Sequence, residues 1–128
     1  MNNKKVIDKF RKLIGDRNVL TKEWNKLPYS KGWRYGAGNT LAVLKPDKLS
    51  DIWRILQICI EHDIIVIMQA ANTGLTGGST PFGDDYDRPV LVVNTMRINN
   101  IHIINQGSQI LGLTGSTLYD LENKLKPY

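Results

Sequence analysis

Ile64-Ile-Val-Ile-Met68 runs directly into Gln69-Ala-Ala-Asn-Thr-Gly-Leu-Thr-Gly-Gly-Ser-Thr-Pro81. The first five residues are an unbroken branched apolar run, the pattern of a buried strand. The stretch that follows has almost no bulky side chains. Gly74, Gly77 and Gly78 allow positive φ or a close backbone approach, and Asn72, Thr73, Thr76, Ser79 and Thr80 set short polar groups along the same loop. A loop of this kind just past a strand can converge its backbone N–H groups on a phosphate, with no side chain in the way. A flexible Gly/Ser connector has similar composition, but it would not need an apolar strand on each side, and Val90-Leu-Val-Val-Asn94 lies beyond.

Neither familiar nucleotide loop fits. The P-loop ends in Gly-Lys-Ser/Thr, and no lysine stands between Lys48 and Lys124. The dinucleotide fingerprint needs G-x-G-x-x-G opening a helix, whereas this loop runs on to Pro81, Gly83 and an acidic turn.

Working outward, Leu41–Lys45 reads as a short strand closed by Pro46. A helix follows to about His62, capped by Asp47 or Ser50. Leu49, Ile52, Trp53, Leu56 and Ile60 recur on one face, which predicts that this face is buried. Strand, helix and strand make a right-handed βαβ unit with parallel strands. The Gly-rich loop then leaves the carboxyl end of a parallel strand, where open α/β sheets bind ligands. Upstream, Val6, Phe10 and Leu13 predict a helix over about 4–14 that stops at Gly15, and residues 16–40 read as irregular. Downstream, 101–104 and 109–113 form a hairpin around Asn105-Gln-Gly107, and 117–125 is a short helix with Leu118, Leu121 and Leu125 on one side. A lone hairpin is marginal without cover, so the sequence is expected to be the front of a longer protein.

At 128 residues with 41% apolar and 23% charged composition, the chain is one soluble-type globular domain at most. It has no apolar run long enough to span a bilayer and no signal-peptide pattern. One cysteine, Cys59, excludes an internal disulfide and a cysteine-rich zinc site, and its apolar neighbours make it a packed thiol. Residues 1–34 hold ten Lys/Arg against Asp8, Asp16 and Glu23, a balance of +7 in a chain of net +5. Trp24, Tyr29, Trp33 and Tyr35 interleave with them. Such a stretch suits nucleic acid, an anionic membrane surface, an anionic cofactor or plain solvent.

Catalytic chemistry is not visible. His62 and His102 are isolated and read as structural. Asp84, Asp85 and Asp87 lack the pattern of a calcium loop and read as a solvated turn, with Asp87 pairing Arg88. No catalytic residue and no metal ligand is assigned, so any enzymatic role would lie in holding a cofactor.

The succession 41–46, a helix bearing Trp53, the Ile/Val strand, Gln69-Ala-Ala-Asn-Thr-Gly-Leu-Thr-Gly-Gly-Ser-Thr-Pro81, Val90–Asn94-Thr-Met-Arg and Thr114-Gly-Ser-Thr-Leu-Tyr-Asp-Leu-Glu122 resembles the PCMH-type FAD-binding domain shared with vanillyl-alcohol oxidase. The segments at 68–76, 85–88 and 118–127 resemble the bacterial quinone-dependent D-lactate dehydrogenase branch. The resemblance implies a mixed α/β (α+β) fold. Residues 1–40 would be a lead-in, 41–96 a βαβ subdomain with a pyrophosphate loop at 68–81, and 97–128 the start of a second subdomain. It implies FAD contacts at Ala70, Ala71, Asn72, Thr73, Gly74, Gly78 and Ser79. Most relatives of the broad fold carry Arg-Gly-Gly-Gly where this chain has Gln69-Ala-Ala-Asn72, and alanine tolerates positive φ poorly, so the loop must turn differently here.

For the whole protein, the resemblance implies oxidation of D-lactate with electrons passed to quinone. It implies peripheral lipid contact at the cytoplasmic face of the inner membrane, with no nucleic acid. The alternatives are another flavoenzyme of the same fold acting on a different 2-hydroxy acid or an alcohol, and a non-enzymatic basic module binding anionic lipid or nucleic acid.

Overall fold

A computed structural model describes residues 3–128, so the first two residues of the expected lead-in lie outside the described residues. The order is α1 (Asn3–Ile14), β1 (Val19–Leu20), α2 (Glu23–Ser30), β2 (Ala42–Leu44), α3 (Leu49–Glu61), β3 (Ile65–Gln69), β4 (Val90–Asn94), β5 (Ile101–Ile104), β6 (Gln109–Gly112) and α4 (Leu118–Leu125).

The main sheet has the order β1-β2-β4-β3. β2 and β3 both pair parallel with β4, so the last strand of this sheet is inserted between the two strands of the βαβ unit. β1 adds antiparallel at the far edge. Every residue of β4 is buried. A continuous Val/Leu run is what a central strand covered on both faces requires. On one face, Val6, Ile7 and Phe10 of α1 and Ile55 and Cys59 of α3 pack with Leu44, Leu91 and Val93. On the other, α2 lies across β2 and β4.

Four expectations need correction. The stretch 16–40 is not irregular: it contains a 3-10 turn at Asp16–Asn18, β1 and α2. Pro28 sits inside α2, and the carbonyl it leaves without a donor is that of Trp24 in the first turn. Neither Asp47 nor Ser50 caps α3. Lys48 occupies the cap position with no side-chain bond, and the Asp47 carboxylate is held by Arg97 at 3.1 Å. The buried face of α3 is carried by Ile55 and Cys59, whereas Trp53 is 64% and Ile60 75% exposed. Finally, β3 is an edge strand, half-buried from Ile65 to Ile67, exposed at Met68 and buried only at Gln69.

The hairpin β5–β6 forms around Asn105–Gly107 as expected. α4 is capped by Thr117, whose hydroxyl oxygen accepts the Asp120 N–H at 3.1 Å. Lys124 crosses from α4 to donate to the Ile101 carbonyl at 2.9 Å. β6 and Leu118 of α4 remain exposed, while Leu121 and Leu125 are half-buried. No helix among the described residues is long and apolar enough to cross a membrane.

Candidate functional site

The Gly-rich loop leaves β3 beside the carboxyl end of β4, with Gln69 and Asn94 as the last register pair. The turn that the Gln-Ala-Ala-Asn sequence demands is made at Asn72, at φ 56, while Ala70 and Ala71 keep negative φ. Asparagine is among the few non-glycine residues that visit this region readily. Its side chain then faces inward. Asn72 Nδ2 donates to the Lys31 carbonyl at 2.9 Å, and Asn72 Oδ1 accepts from Ser79 Oγ at 2.9 Å. The side chain of the expected contact Asn72 is therefore spent on protein partners, leaving its backbone for a ligand.

The glycines divide by task. Gly77, at φ 76, is pressed against Tyr35 and Gly36 of a second glycine-bearing loop, whereas a Cβ on Gly74 would meet nothing within 4 Å and one on Gly78 only Thr76 Oγ1 at 3.9 Å. Ala70, Ala71, Thr73, Gly74 and Gly78 are exposed, and Ser79 is half-buried. The first backbone N–H in this stretch with a protein acceptor is that of Thr80, bonded to the Gly77 carbonyl at 3.4 Å; among the described residues those from Ala71 to Ser79 have none. No acidic side chain occurs between Met68 and Gly83. A run of unspent donors on an uncharged backbone with no Cβ in the way has the chemistry that suits an anion. These residues fit a pyrophosphate.

Other candidates fall elsewhere. A cleft of about 660 Å³ at the amino ends of β2 and β4 is lined by Lys26, Thr40, Asp84, Tyr86 and Arg88, away from the loop. Its cations are committed. Lys26 Nζ donates to the Thr40 carbonyl and to Glu23, both at 2.7 Å. Arg88 binds Asp63 at 2.8 Å and Asp87 at 3.1 Å, and these hydrogen bonds push its guanidinium further above the ordinary range. Asp63 was not foreseen as a partner, since it lies twenty-five residues from Arg88. His62 Nε2 sits 2.9 Å from Lys9 Nζ, and His102 is exposed on β5. Among the described residues, no three His, Cys, Asp or Glu side chains gather as a metal site would need. Burial pushes the Cys59 thiol up to about 11, so it is inert at neutral pH. Part of the basic, aromatic lead-in is internal too: Arg11 pairs with Asp8 and Asp16, and Lys45 lies over the Tyr29 ring at 5.7 Å.

Solved structures share this architecture. The chain superposes on p-cresol methylhydroxylase with a TM-score of 0.77 at 22% identity, covering 97% of this chain and 24% of that one. It superposes on alkyldihydroxyacetonephosphate synthase with 0.83 at 11% identity, covering 97% and 25%. The fold is that of the PCMH-type FAD-binding flavoproteins. In sequence, the chain is 51% identical to the quinone-dependent D-lactate dehydrogenase of Haemophilus influenzae over its full length, and 45% identical to that of Escherichia coli over 98% of it. No family model matches. Along nearly its whole length the chain is thus similar to the quinone-dependent D-lactate dehydrogenases. It spans 23% and 22% of the length of those two relatives. A mitochondrial D-2-hydroxyglutarate dehydrogenase of Arabidopsis thaliana is more distant, at 27% identity over 84% of the chain.

Proposed function

We propose that this chain supplies the pyrophosphate-holding part of the FAD site of a D-lactate dehydrogenase. The observation that carries the reading is the loop 70–79, whose backbone N–H groups from Ala71 to Ser79 have no acceptor among the described residues and whose Gly74 and Gly78 faces are open. Ala70, Ala71, Thr73, Gly74, Gly78, Ser79 and the backbone of Asn72 would hold the cofactor. FAD, when bound, accepts a hydride from the C2 carbon of a 2-hydroxy acid. The protein's part is to hold and orient that cofactor. Residues 41–96 form the subdomain that presents the loop, with 1–40 as its lead-in and 97–128 as the start of a second subdomain.

For the whole protein the reading is oxidation of D-lactate to pyruvate, transfer of electrons to quinone, and peripheral contact with lipid at the cytoplasmic face of the inner membrane. The names of the bacterial relatives support the first two. A different 2-hydroxy acid is the second reading, favoured by the match to D-2-hydroxyglutarate dehydrogenases.

Titrating FAD into the chain tests the site. At 100-fold excess over Kd, binding raises stability by about 2.7 kcal/mol, visible as a higher melting temperature with a perturbed flavin spectrum. No shift at millimolar FAD overturns the reading. Turnover of D-lactate, L-lactate, 2-hydroxyglutarate and glycolate by a protein that contains this chain separates the two substrates.

A further inference from the structure

Gln69 and Asn94 end neighbouring strands in register, and both are almost fully buried, at 2% and 3% exposure. Asn94 Nδ2 donates to Gln69 Oε1 at 3.1 Å and to the Ala70 carbonyl at 2.9 Å, while Asn94 Oδ1 accepts the Met96 N–H at 3.2 Å. Gln69 Nε2 donates to the Ser79 carbonyl and the Tyr29 carbonyl, both at 2.9 Å. Both protons of each amide are used. Three of the acceptors are backbone carbonyls, which cannot donate, so only one orientation of each amide satisfies the set. Reversing either would bury a carbonyl against a carbonyl.

The carbonyls gripped in this way, Ala70 and Ser79, are the two ends of the loop. In a trans peptide the C=O and the following N–H point in opposite directions. Drawing the Ala70 carbonyl onto Asn94 therefore turns the Ala71 N–H away from the sheet. On the inner side, Asn72 reaches the Lys31 carbonyl just beyond α2 and receives the Ser79 hydroxyl. The loop is thus fastened at both ends and braced by Asn72, and its N–H groups from Ala71 to Ser79 have no acceptor among the described residues.

We propose that Gln69 and Asn94 are an amide clasp, a pair of positioning residues that holds loop 70–79 open toward the phosphates of a dinucleotide. Asn72 serves as the strut of this clasp through its side chain. The inference rests on the FAD reading above for its ligand. A fully satisfied buried amide network rigidifies what it joins, and a partly satisfied one does not.

The test titrates FAD into the unaltered chain, Gln69→Met and Gln69→Glu, each shown folded by circular dichroism. Gln69→Met keeps the volume and loses both donors, so FAD should bind about 10-fold or more weakly, the loss expected for two hydrogen bonds. Gln69→Glu faces two carbonyls with a carboxylate at pH 8 and regains a donor when protonated. Its affinity should recover toward that of the unaltered chain as the pH falls to about 5. A role in packing alone would give no such recovery. FAD binding within twofold of the unaltered chain in both variants, or a Gln69→Glu deficit that is the same at pH 5 and pH 8, overturns the clasp. If the Gln69 variants do not fold, Asn72→Gly replaces them: it keeps the positive φ and removes the strut, and unchanged FAD affinity overturns the proposal. If the unaltered chain binds no FAD, the cofactor reading fails by itself. The clasp is then judged by 15N order parameters at Gly74 and Gly78. A fall in Gln69→Met, or in Asn72→Gly where it stands in, from about 0.85 toward 0.6 supports it, and equal values overturn it.

Discussion

Gly36 and Gly77 meet back to back, both at positive φ, at 86° and 76°. A Cβ on Gly36 would lie against Thr80 Oγ1 and 3.3 Å from Gly77 Cα, and a Cβ on Gly77 would lie 3.2 Å from the Tyr35 carbonyl carbon. This contact lets the 32–38 loop support the 70–79 loop from behind. Gly36→Ala and Gly77→Ala should each cost about 1–3 kcal/mol, from strained φ and displaced backbone. Gly74→Ala has open space and no positive φ, so its stability should stay within about 1 kcal/mol of the unaltered chain. Its FAD affinity should nevertheless fall, because the methyl group enters the ligand's side. Urea unfolding and FAD titration of the three variants separate the supporting glycines from the ligand-facing one.

The two apolar faces of α3 give a second prediction. Ile55 is fully buried against α1 and the sheet, while Trp53 points to solvent. Ile55→Ala should cost about 2–5 kcal/mol, the range for a truncated core side chain. Trp53→Ala should stay within about 0.5 kcal/mol, as for other surface substitutions. Thermal melts of both decide it. The opposite ranking would mean that the heavier stripe, not the lighter one, faces the core.

Cys59 ties stability to alkaline pH. Its thiol is raised from an ordinary value near 9.0 to about 11 because burial disfavours the thiolate. The folded state therefore holds its proton where the unfolded state releases it. The resulting contribution is complete below pH 9 and is lost as the pH rises toward 11. A Cys59→Ala variant should show a flatter fall in stability over that window, measured by urea midpoints at pH 8, 9, 10 and 11. In the unaltered chain at pH 8, a thiol reagent should react only at the rate of opening or unfolding.

These contrasts show where sequence reading succeeds and where it stops. β3, β4, the Gly-rich loop and the hairpin were legible because apolar runs are sharply punctuated by glycine, asparagine and proline. α2 was not legible. Its buried residues are Lys26 and Ser30, so no apolar period marks it, and Pro28 argues against a helix. The face of α3 was misread because Leu49, Trp53, Leu56 and Ile60 make a heavier stripe than Ile55 and Cys59, and only the packing of α1 and the sheet decides between them. The composition of the site loop was plain in the chain. The clasp beneath it was not, since Gln69 and Asn94 are twenty-five residues apart and meet only through the parallel register of β3 with β4.

Arg97 makes the same point about long-range contacts and carries the last prediction. Just past β4, its Nη1 donates to Asn18 Oδ1 at 2.6 Å and to the Lys45 carbonyl at 3.0 Å, while Nη2 reaches Asp47 at 3.1 Å. One planar fork thus joins the exit of β4, the end of β2 and the 3-10 turn before β1. A lysine offers a single ammonium point and cannot span three acceptors in this arrangement. Arg97→Lys should therefore lose most of what Arg97→Ala loses. The loss should be about 1 kcal/mol, modest because the side chain is more than a third exposed. Two of the three acceptors are uncharged, so 1 M salt should remove only the part owed to Asp47. Urea midpoints of Arg97→Ala, Arg97→Lys and Asp47→Asn at low and high salt check this. Full rescue by lysine would show that charge, not the geometry of the fork, holds the three segments together.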